Sequence, residues 1–295
     1  MQKYRVLVAG ATGYLGRFII QELVDRGIDT MAIVRNKNKI TIKSPNLEII
    51  EAQVTQPSTL KGICNNVDVV ISSIGITRQK DGLTYMDVDY QANANLIDEA
   101  KKSNVKRFIY ISVLNGDKLR HLKIGEAKEK FVDELKASGL DYCVIRPNGF
   151  FSDMGDFLTM AKSGRIYLFG DGKLKLNPIH GKDLAKVIVD AIYQDVKEIN
   201  IGGPDLLSQN EIGELALKAY SKPVRIIHLP NWIRIFAIWF VHTFTNSKIY
   251  GPIEFFLTTM NMDMTAPKYG EHHLSDFFNE RVKSTSIGDN HKRKD

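Results

Sequence analysis

The stretch Val6-Leu7-Val8-Ala9-Gly10-Ala11-Thr12-Gly13-Tyr14-Leu15-Gly16 decides the fold of this 295-residue chain. Four apolar residues read as a buried strand, three glycines follow at intervals of three, and residues 15–26 continue as an amphipathic helix. A lone glycine pattern is weak, but a strand before it and a helix after it make a dinucleotide fingerprint. Gly10 permits the tight turn, Gly13 lets the backbone approach a pyrophosphate, and Gly16 lets the helix pack closely on the strand. The helix N-terminus adds N–H donors and a partial positive charge. Gly10, Thr12, Gly13, Tyr14, Leu15 and Gly16 are therefore expected to bind cofactor.

The cofactor is expected to be NADP(H). In NAD-specific proteins an acid about 20 positions further on binds the ribose 2′-hydroxyl. Here the second strand ends Val34-Arg35-Asn36-Lys37-Asn38-Lys39, with no acid. A guanidinium at Arg35 suits a 2′-phosphate in charge and in fork geometry. The competing reading is a solvated charge run.

Working outward, short apolar runs at 5–9, 30–34, 47–52, 67–72, 107–112 and 141–146 read as strands. Helical patterns lie at 15–26, 92–103 and 126–137. Such alternation predicts an α/β fold, a doubly wound parallel Rossmann sheet with a smaller, mainly helical C-terminal substrate lobe. The expected division is a Rossmann domain at 1–150, completed by 181–203, with a substrate lobe from 151–180 and 204–283. A disordered basic tail is expected at 284–295, containing His291-Lys292-Arg293-Lys294.

Composition narrows the classes. Hydrophobic residues make up 43% of the chain, which excludes a disordered protein, and 40 basic against 34 acidic residues is too even to indicate nucleic-acid binding. Cys64 and Cys143 lack redox or ligand spacing. His121, His180, His228, His242, His272 and His273 form no metal pattern. Asp183 begins a helical pattern and reads as an N-cap. No secretory leader or spanning segment is legible, so the expected location is cytoplasmic.

Further motifs carry a resemblance. They are Ser72-Ser73-Ile74-Gly75, Asp89-Tyr90-Gln91, Lys106-Arg107-Phe108-Ile109-Tyr110-Ile111-Ser112, Ile145-Arg146-Pro147 and Phe169-Gly170-Asp171-Gly172. Later come Ile199-Asn200-Ile201-Gly202-Gly203-Pro204 and Ala266-Pro267-Lys268-Tyr269-Gly270. In this order the chain resembles the atypical short-chain dehydrogenase/reductases and, more narrowly, looks like the group that includes divinyl chlorophyllide reductase. The resemblance implies that Ser73, Ile74 and Gly75 lie along the adenosine ribose and pyrophosphate, and that Pro147, Asn148 and Gly149 lie near the nicotinamide. Relatives often carry Asp-Val after the third strand, to read the adenine amine; this chain has Gln53-Val54.

The catalytic set departs from the superfamily pattern. Its usual Tyr-x-x-x-Lys places both side chains on one helix face, where Lys holds the ribose and lowers the Tyr pKa. Here the helix reads Ile124-Gly125-Glu126-Ala127-Lys128: Lys128 is present, but Ile124 cannot transfer a proton. Tyr193-x-x-x-Lys197 falls after the wrong strand. Ser112, at the end of strand five, either binds a substrate carbonyl or caps the strand. Three readings follow: an NADP(H)-dependent oxidoreductase acting on a small, lipophilic carbonyl, enone or quinone through Lys128; a non-catalytic NADP(H)-binding sensor or assembly factor, as the superfamily's complex I accessory subunit and nitrogen-metabolite-repression regulator illustrate; or a nucleotide-sugar epimerase, which the missing Tyr weakens.

One run remains, Trp232-Ile233-Arg234-Ile235-Phe236-Ala237-Ile238-Trp239-Phe240-Val241-His242-Thr243-Phe244, apolar nearly all round. Such a helix is buried in protein or lipid. The alternatives are packing under the C-terminal lobe, closure of a homodimer, or peripheral contact with a membrane surface.

Overall fold

The structure, a computed structural model, describes residues 4–76 and 82–291. The nucleotide-binding half contains strands β1 (Arg5–Ala9), β2 (Asp29–Val34), β3 (Leu47–Glu51), β4 (Val69–Ser72), β5 (Arg107–Ile111) and β6 (Asp141–Pro147), with helices α1 (Tyr14–Asp25), α2 (Ala92–Lys102) and α3 (Lys123–Ala137). Then follow α4 (Gly155–Lys162), β7 (Ile166–Phe169), β8 (Lys175–Leu176), α5 (Gly181–Asp190) and β9 (Glu198–Ile201). The C-terminal part adds β10 (Leu207–Ser208), α6 (Gln209–Ala219), β11 (Ile226–Leu229), α7 (Asn231–Phe244), α8 (Ser247–Thr259) and α9 (Leu274–His291).

Seven parallel strands form one sheet in the order β3-β2-β1-β4-β5-β6-β9, so β9 does return to its edge. Strand side chains alternate between the two faces. Val6, Val8, Ile71 and Ile109 join α1 and α5 in one core, and Leu7, Ala9, Val70 and Phe108 join α2 and α3 in the other. Covering both faces requires strands that are apolar throughout, which is why they read as continuous runs. Strand order reverses between β1 and β4, and ligands of such sheets bind outside the strand ends at that switch.

The smaller lobe gathers α4, α6 and α9 around Phe151, Phe157, Ile166, Ile212, Leu217 and Phe278. It also holds the antiparallel pair β8–β10 and the parallel pair β7–β11. The α7–α8 hairpin leans on α3 and β7.

One expectation needs correction, and one alternative falls away. Asp183 does not cap α5: the His180 ring accepts from the Lys182 N–H there. Asp183 stands within the first turn, fully buried, and its carboxylate receives the Glu271 and His272 amides. A charge on the inner face of that helix finds donors on the packed 270–272 turn, not at the helix start. The run at 232–244 does not pack under the lobe, since α7 has no buried residue. Helix α9 runs on to His291, into the 284–295 segment. Residues 292–295 lie outside the described ones.

Candidate nucleotide-binding and active site

A cleft of about 650 Å³ opens at the β1–β4 switch. Gly10, Ala11, Thr12 and Gly13 form one wall, Ser73, Ile74 and Gly75 another. Gly10 sits at φ +85°, in the left-handed region that disfavours a side chain. A Cβ on Gly16 would lie 2.1 Å from the Gly10 carbonyl oxygen, so α1 can approach the loop this closely only with glycine there. A Cβ on Gly13 would meet only that carbonyl, at 3.2 Å. Protein packing thus forbids side chains at Gly10 and Gly16, whereas the open space at Gly13 faces the cleft.

Tyr14 and Leu15 do not line the cleft with their side chains. The Tyr14 hydroxyl accepts from the Gly181 N–H at 3.2 Å, and Leu15 is in the core. What both offer a ligand is backbone amide, because no side chain caps the first turn of α1.

The ends of β2 and β3 complete the cleft with Arg35, Lys39, Gln53, Val54 and Thr55. Two cations and no carboxylate stand where an NAD-specific site carries its acid. Lys37 is not part of this wall. The Gln53 amide nitrogen donates to Thr55, which leaves its carbonyl oxygen able to accept from an amine where relatives use Asp. The residues present fit a phosphorylated dinucleotide.

Lys128 lies behind Gly75. A Cβ on Gly75 would fall 2.8 Å from the Lys128 ammonium and 2.7 Å from an Asp89 carboxylate oxygen. The ammonium stands 3.0 Å from Asp89 Oδ1, and Oδ2 of the same carboxylate accepts from the Ile76 N–H at 3.1 Å. Asp89 is fully buried in a π-helical turn, Met86–Gln91, that runs straight into α2. Single π turns inside helices recur at functional sites. Burial opposes the charge on Lys128, but Tyr110 and Asp89 together hold its pKa above the ordinary lysine value. Burial also pushes the Asp89 carboxyl up, against the pull of Lys128. The 3.0 Å contact and the Ile76 donor favour the ionic form of the pair. Burial likewise raises the Tyr110 phenol to about 12.

The position of the missing tyrosine is filled with hydrocarbon. Ile124 is buried with Tyr85 and Ala127, and Ile76, Met86 and Phe255 close over them. Ser112 is not available to a substrate carbonyl. Its hydroxyl donates to Glu129 Oε1 at 2.8 Å, beside a buried two-pronged Glu129–Arg146 ion pair at 2.5 and 2.8 Å. A single O–H committed to a buried carboxylate cannot also polarise a ligand.

Pro147 ends β6 and Gly149 turns away at φ +65°, at the same sheet end as the cleft. The Asn148 amide reaches the other way, donating to Asn177 Oδ1 at 2.6 Å and to the Met264 carbonyl. It ties the smaller lobe to the sheet, and its side chain is committed to those partners. Tyr193 rests on Tyr4 and Lys197 pairs with Asp141, at the N-terminal end of the sheet. Both cysteines are free and buried, with the thiols pushed up to about 12 at Cys64 and about 11 at Cys143, so neither supplies a thiolate nucleophile. Among the described residues no group of side chains could hold a metal ion.

Comparison with known proteins agrees with this geometry. The NAD(P)H-binding family matches residues 10–195. The chain is 31% identical to divinyl chlorophyllide a 8-vinyl-reductase, chloroplastic, of Cucumis sativus, over 96% of this chain and 77% of that protein. It is 28% identical to photosystem II assembly factor Ycf39 of Synechocystis sp., over 82% of this chain and 77% of that one. The solved structure of AtPrR2 with NADP+ and (+)pinoresinol shares the fold, with a TM-score of 0.72 at 19% identity, over 95% of this chain and 99% of that one. The chain belongs to the NAD(P)H-binding family within the Rossmann superfamily, as an atypical short-chain dehydrogenase/reductase.

Proposed function

We propose that this protein is an NADP(H)-dependent reductase of a small, lipophilic carbonyl, enone or quinone. The observation that carries the reading is the cationic wall of Arg35 and Lys39 at the end of β2, opposite the glycine loop. Bound NADPH supplies a hydride. The chain supplies the rest. First-turn amides of α1 meet the pyrophosphate, Arg35 and Lys39 the 2′-phosphate, and the Lys128 ammonium, held by Asp89, the nicotinamide ribose. The partly exposed Ile76, Met86 and Phe255, which close over Ile124, offer an apolar surface to the substrate and keep water from it. The relative named as a vinyl-reductase supports a conjugated double bond as the group reduced.

A second reading, an NADP(H)-binding sensor or assembly factor, has its own observation: Ile124 leaves the usual proton-transfer position empty of acid, and a relative is named as an assembly factor. The epimerase reading lacks its proton acceptor for the same reason.

The test is titration of NADPH and NADH into wild type and Arg35→Ala, followed by turnover with a panel of enones, quinones and aldehydes. Loss of a charge-assisted contact costs about 1.5–3 kcal/mol, so Arg35→Ala weakens NADPH by roughly 10- to 150-fold and leaves NADH nearly unchanged. Equal wild-type affinities refute the cofactor assignment. Tight NADPH binding with no oxidation by any of the panel moves the protein to the second reading.

A further inference from the structure

Helix α7 carries Trp232, Ile235, Phe236, Trp239, Phe240 and Phe244 on one stripe, at steps of three and four residues, and every one is 47–65% exposed. A stripe with this spacing normally faces a core. Here it faces outward, while the other side of α7 already rests on α8 and β7. The aromatic rings lie against each other, with Phe240 and Phe244 centroids 4.8 Å apart. On α8, Ile249, Ile253 and Phe256 are exposed as well. The hairpin therefore presents an apolar ridge unlike an ordinary protein surface.

Charge identifies what covers it. Helix α7 contains Arg234 and His242 and no acid, and exposed Lys248 opens α8. The hairpin's one acid, Glu254, is mostly buried and lies 3.7 Å from His242. At the far end of the β7–β11 pair, Arg165, Lys222 and Arg225 line a pocket whose walls include no acidic residue. An apolar ridge holding both tryptophans, with Arg234 and Lys248 on the hairpin itself and a further cation cluster on the same lobe, matches a bilayer surface with anionic headgroups. A second copy of this chain would meet the ridge with the same cations and no compensating acids. No helix among the described residues is long and apolar enough to cross a membrane, so α7 would lie in the interface plane.

We infer that the α7–α8 hairpin docks this protein on the surface of an anionic lipid bilayer, with the aromatic stripe in the acyl boundary and the cations at headgroup level. This docking does not depend on the reductase reading. Phe255 of α8 belongs to the patch around Ile124, so the same hairpin joins the bilayer face to the site where an apolar substrate would sit.

The full chain is tested by co-sedimentation with phosphatidylcholine vesicles and with vesicles that also contain phosphatidylglycerol. Wild type is expected to pellet with the anionic vesicles, and raised salt is expected to release it. Trp239→Glu with Phe240→Glu should weaken partitioning by at least about tenfold while keeping the wild-type Tm and NADPH affinity, because both side chains are half-exposed. Lys222→Glu with Arg225→Glu should remove the preference for anionic over neutral vesicles. Wild type that stays in the supernatant with both vesicles, or a Trp239/Phe240 variant that binds as wild type does, overturns the inference. A lipid-free dimer that the Trp239/Phe240 variant converts to monomer, with no vesicle binding, overturns it in favour of a second copy.

Discussion

Replacing Lys128 alone conflates two effects, and the Asp89–Lys128 pair allows them to be separated. Lys128→Met removes the cation and leaves a fully buried carboxylate with only the Ile76 amide for a partner. Breaking a buried pair on one side costs about 3–5 kcal/mol. At an unfolding entropy of about 2.1 cal/mol/K per residue, a chain of this length loses roughly 5–8 °C of Tm. Lys128→Met combined with Asp89→Asn removes the orphaned charge and keeps an oxygen for the Ile76 N–H, so most of that Tm should return. Cofactor binding should not return with it. If the ammonium holds the nicotinamide ribose, both variants lose about 1.5–3 kcal/mol of NADPH affinity. The assay is differential scanning calorimetry beside NADPH titration, on wild type and both variants. A double variant that recovers affinity together with Tm would show that Lys128 acts on the fold alone. A Lys128→Met variant with unchanged Tm would show that no ionic pair is buried there.

Gly13→Ala and Gly16→Ala separate ligand contact from packing: Gly13→Ala should keep its Tm and weaken NADPH by about tenfold or more, while Gly16→Ala should lose both, since its methyl would collide with the Gly10 carbonyl. Isothermal titration checks this, and unchanged affinity in Gly13→Ala removes the glycine loop from the binding site. Burial and neighbouring His272 lower the His180 pKa. A depressed folded pKa gives stability that is complete above the unfolded value of about 6.5 and is lost as pH falls below it. Urea midpoints should therefore fall less between neutral and mildly acidic pH in His180→Gln than in wild type; parallel curves would refute the assignment.

The nucleotide half was legible because its signals are local. Strand, glycine turn and helix are adjacent in the chain, and buried parallel strands announce themselves as apolar runs. The side-chain partners of Ser112 and Asn148 were not legible because a polar residue at a strand end has no local clue to its partner; Glu129 and Met264 lie 17 and 116 residues away. Asp89 could have been found. Buried Tyr85, Val88, Ala92 and Leu96 are spaced at three and four residues, and Asp89 falls inside that stripe, as Lys128 does between Ile124 and Phe131. An ionisable residue within an apolar stripe requires a buried partner, and two such residues of opposite sign point to each other. The exposure of α7 could not be read at all, because a helix apolar on every side has the same sequence whether protein or lipid covers it.

The pairing with Asp89 also bears on how the site works without its tyrosine. Where Tyr and Lys share a helix face, the cation stabilises the phenolate and makes the phenol a usable acid. That requires an ammonium whose field is free to act on its neighbour. Here Ile124 has replaced the phenol, and the ammonium is matched by a carboxylate 3.0 Å away in a site with little water. Burial pushes the Tyr110 phenol, beside the pair, up to about 12, and the pull of Lys128 does not offset it. A neutralised cation of this kind acidifies little, but it remains a rigid donor of hydrogen bonds beside Gly75. Lys128 is thus suited to hold and orient, and the proton that completes a reduction would come from solvent or from the substrate's own acidic group. Reduction rates should then follow solvent access to the product anion, without the steep loss at high pH that deprotonation of a lysine or tyrosine donor imposes.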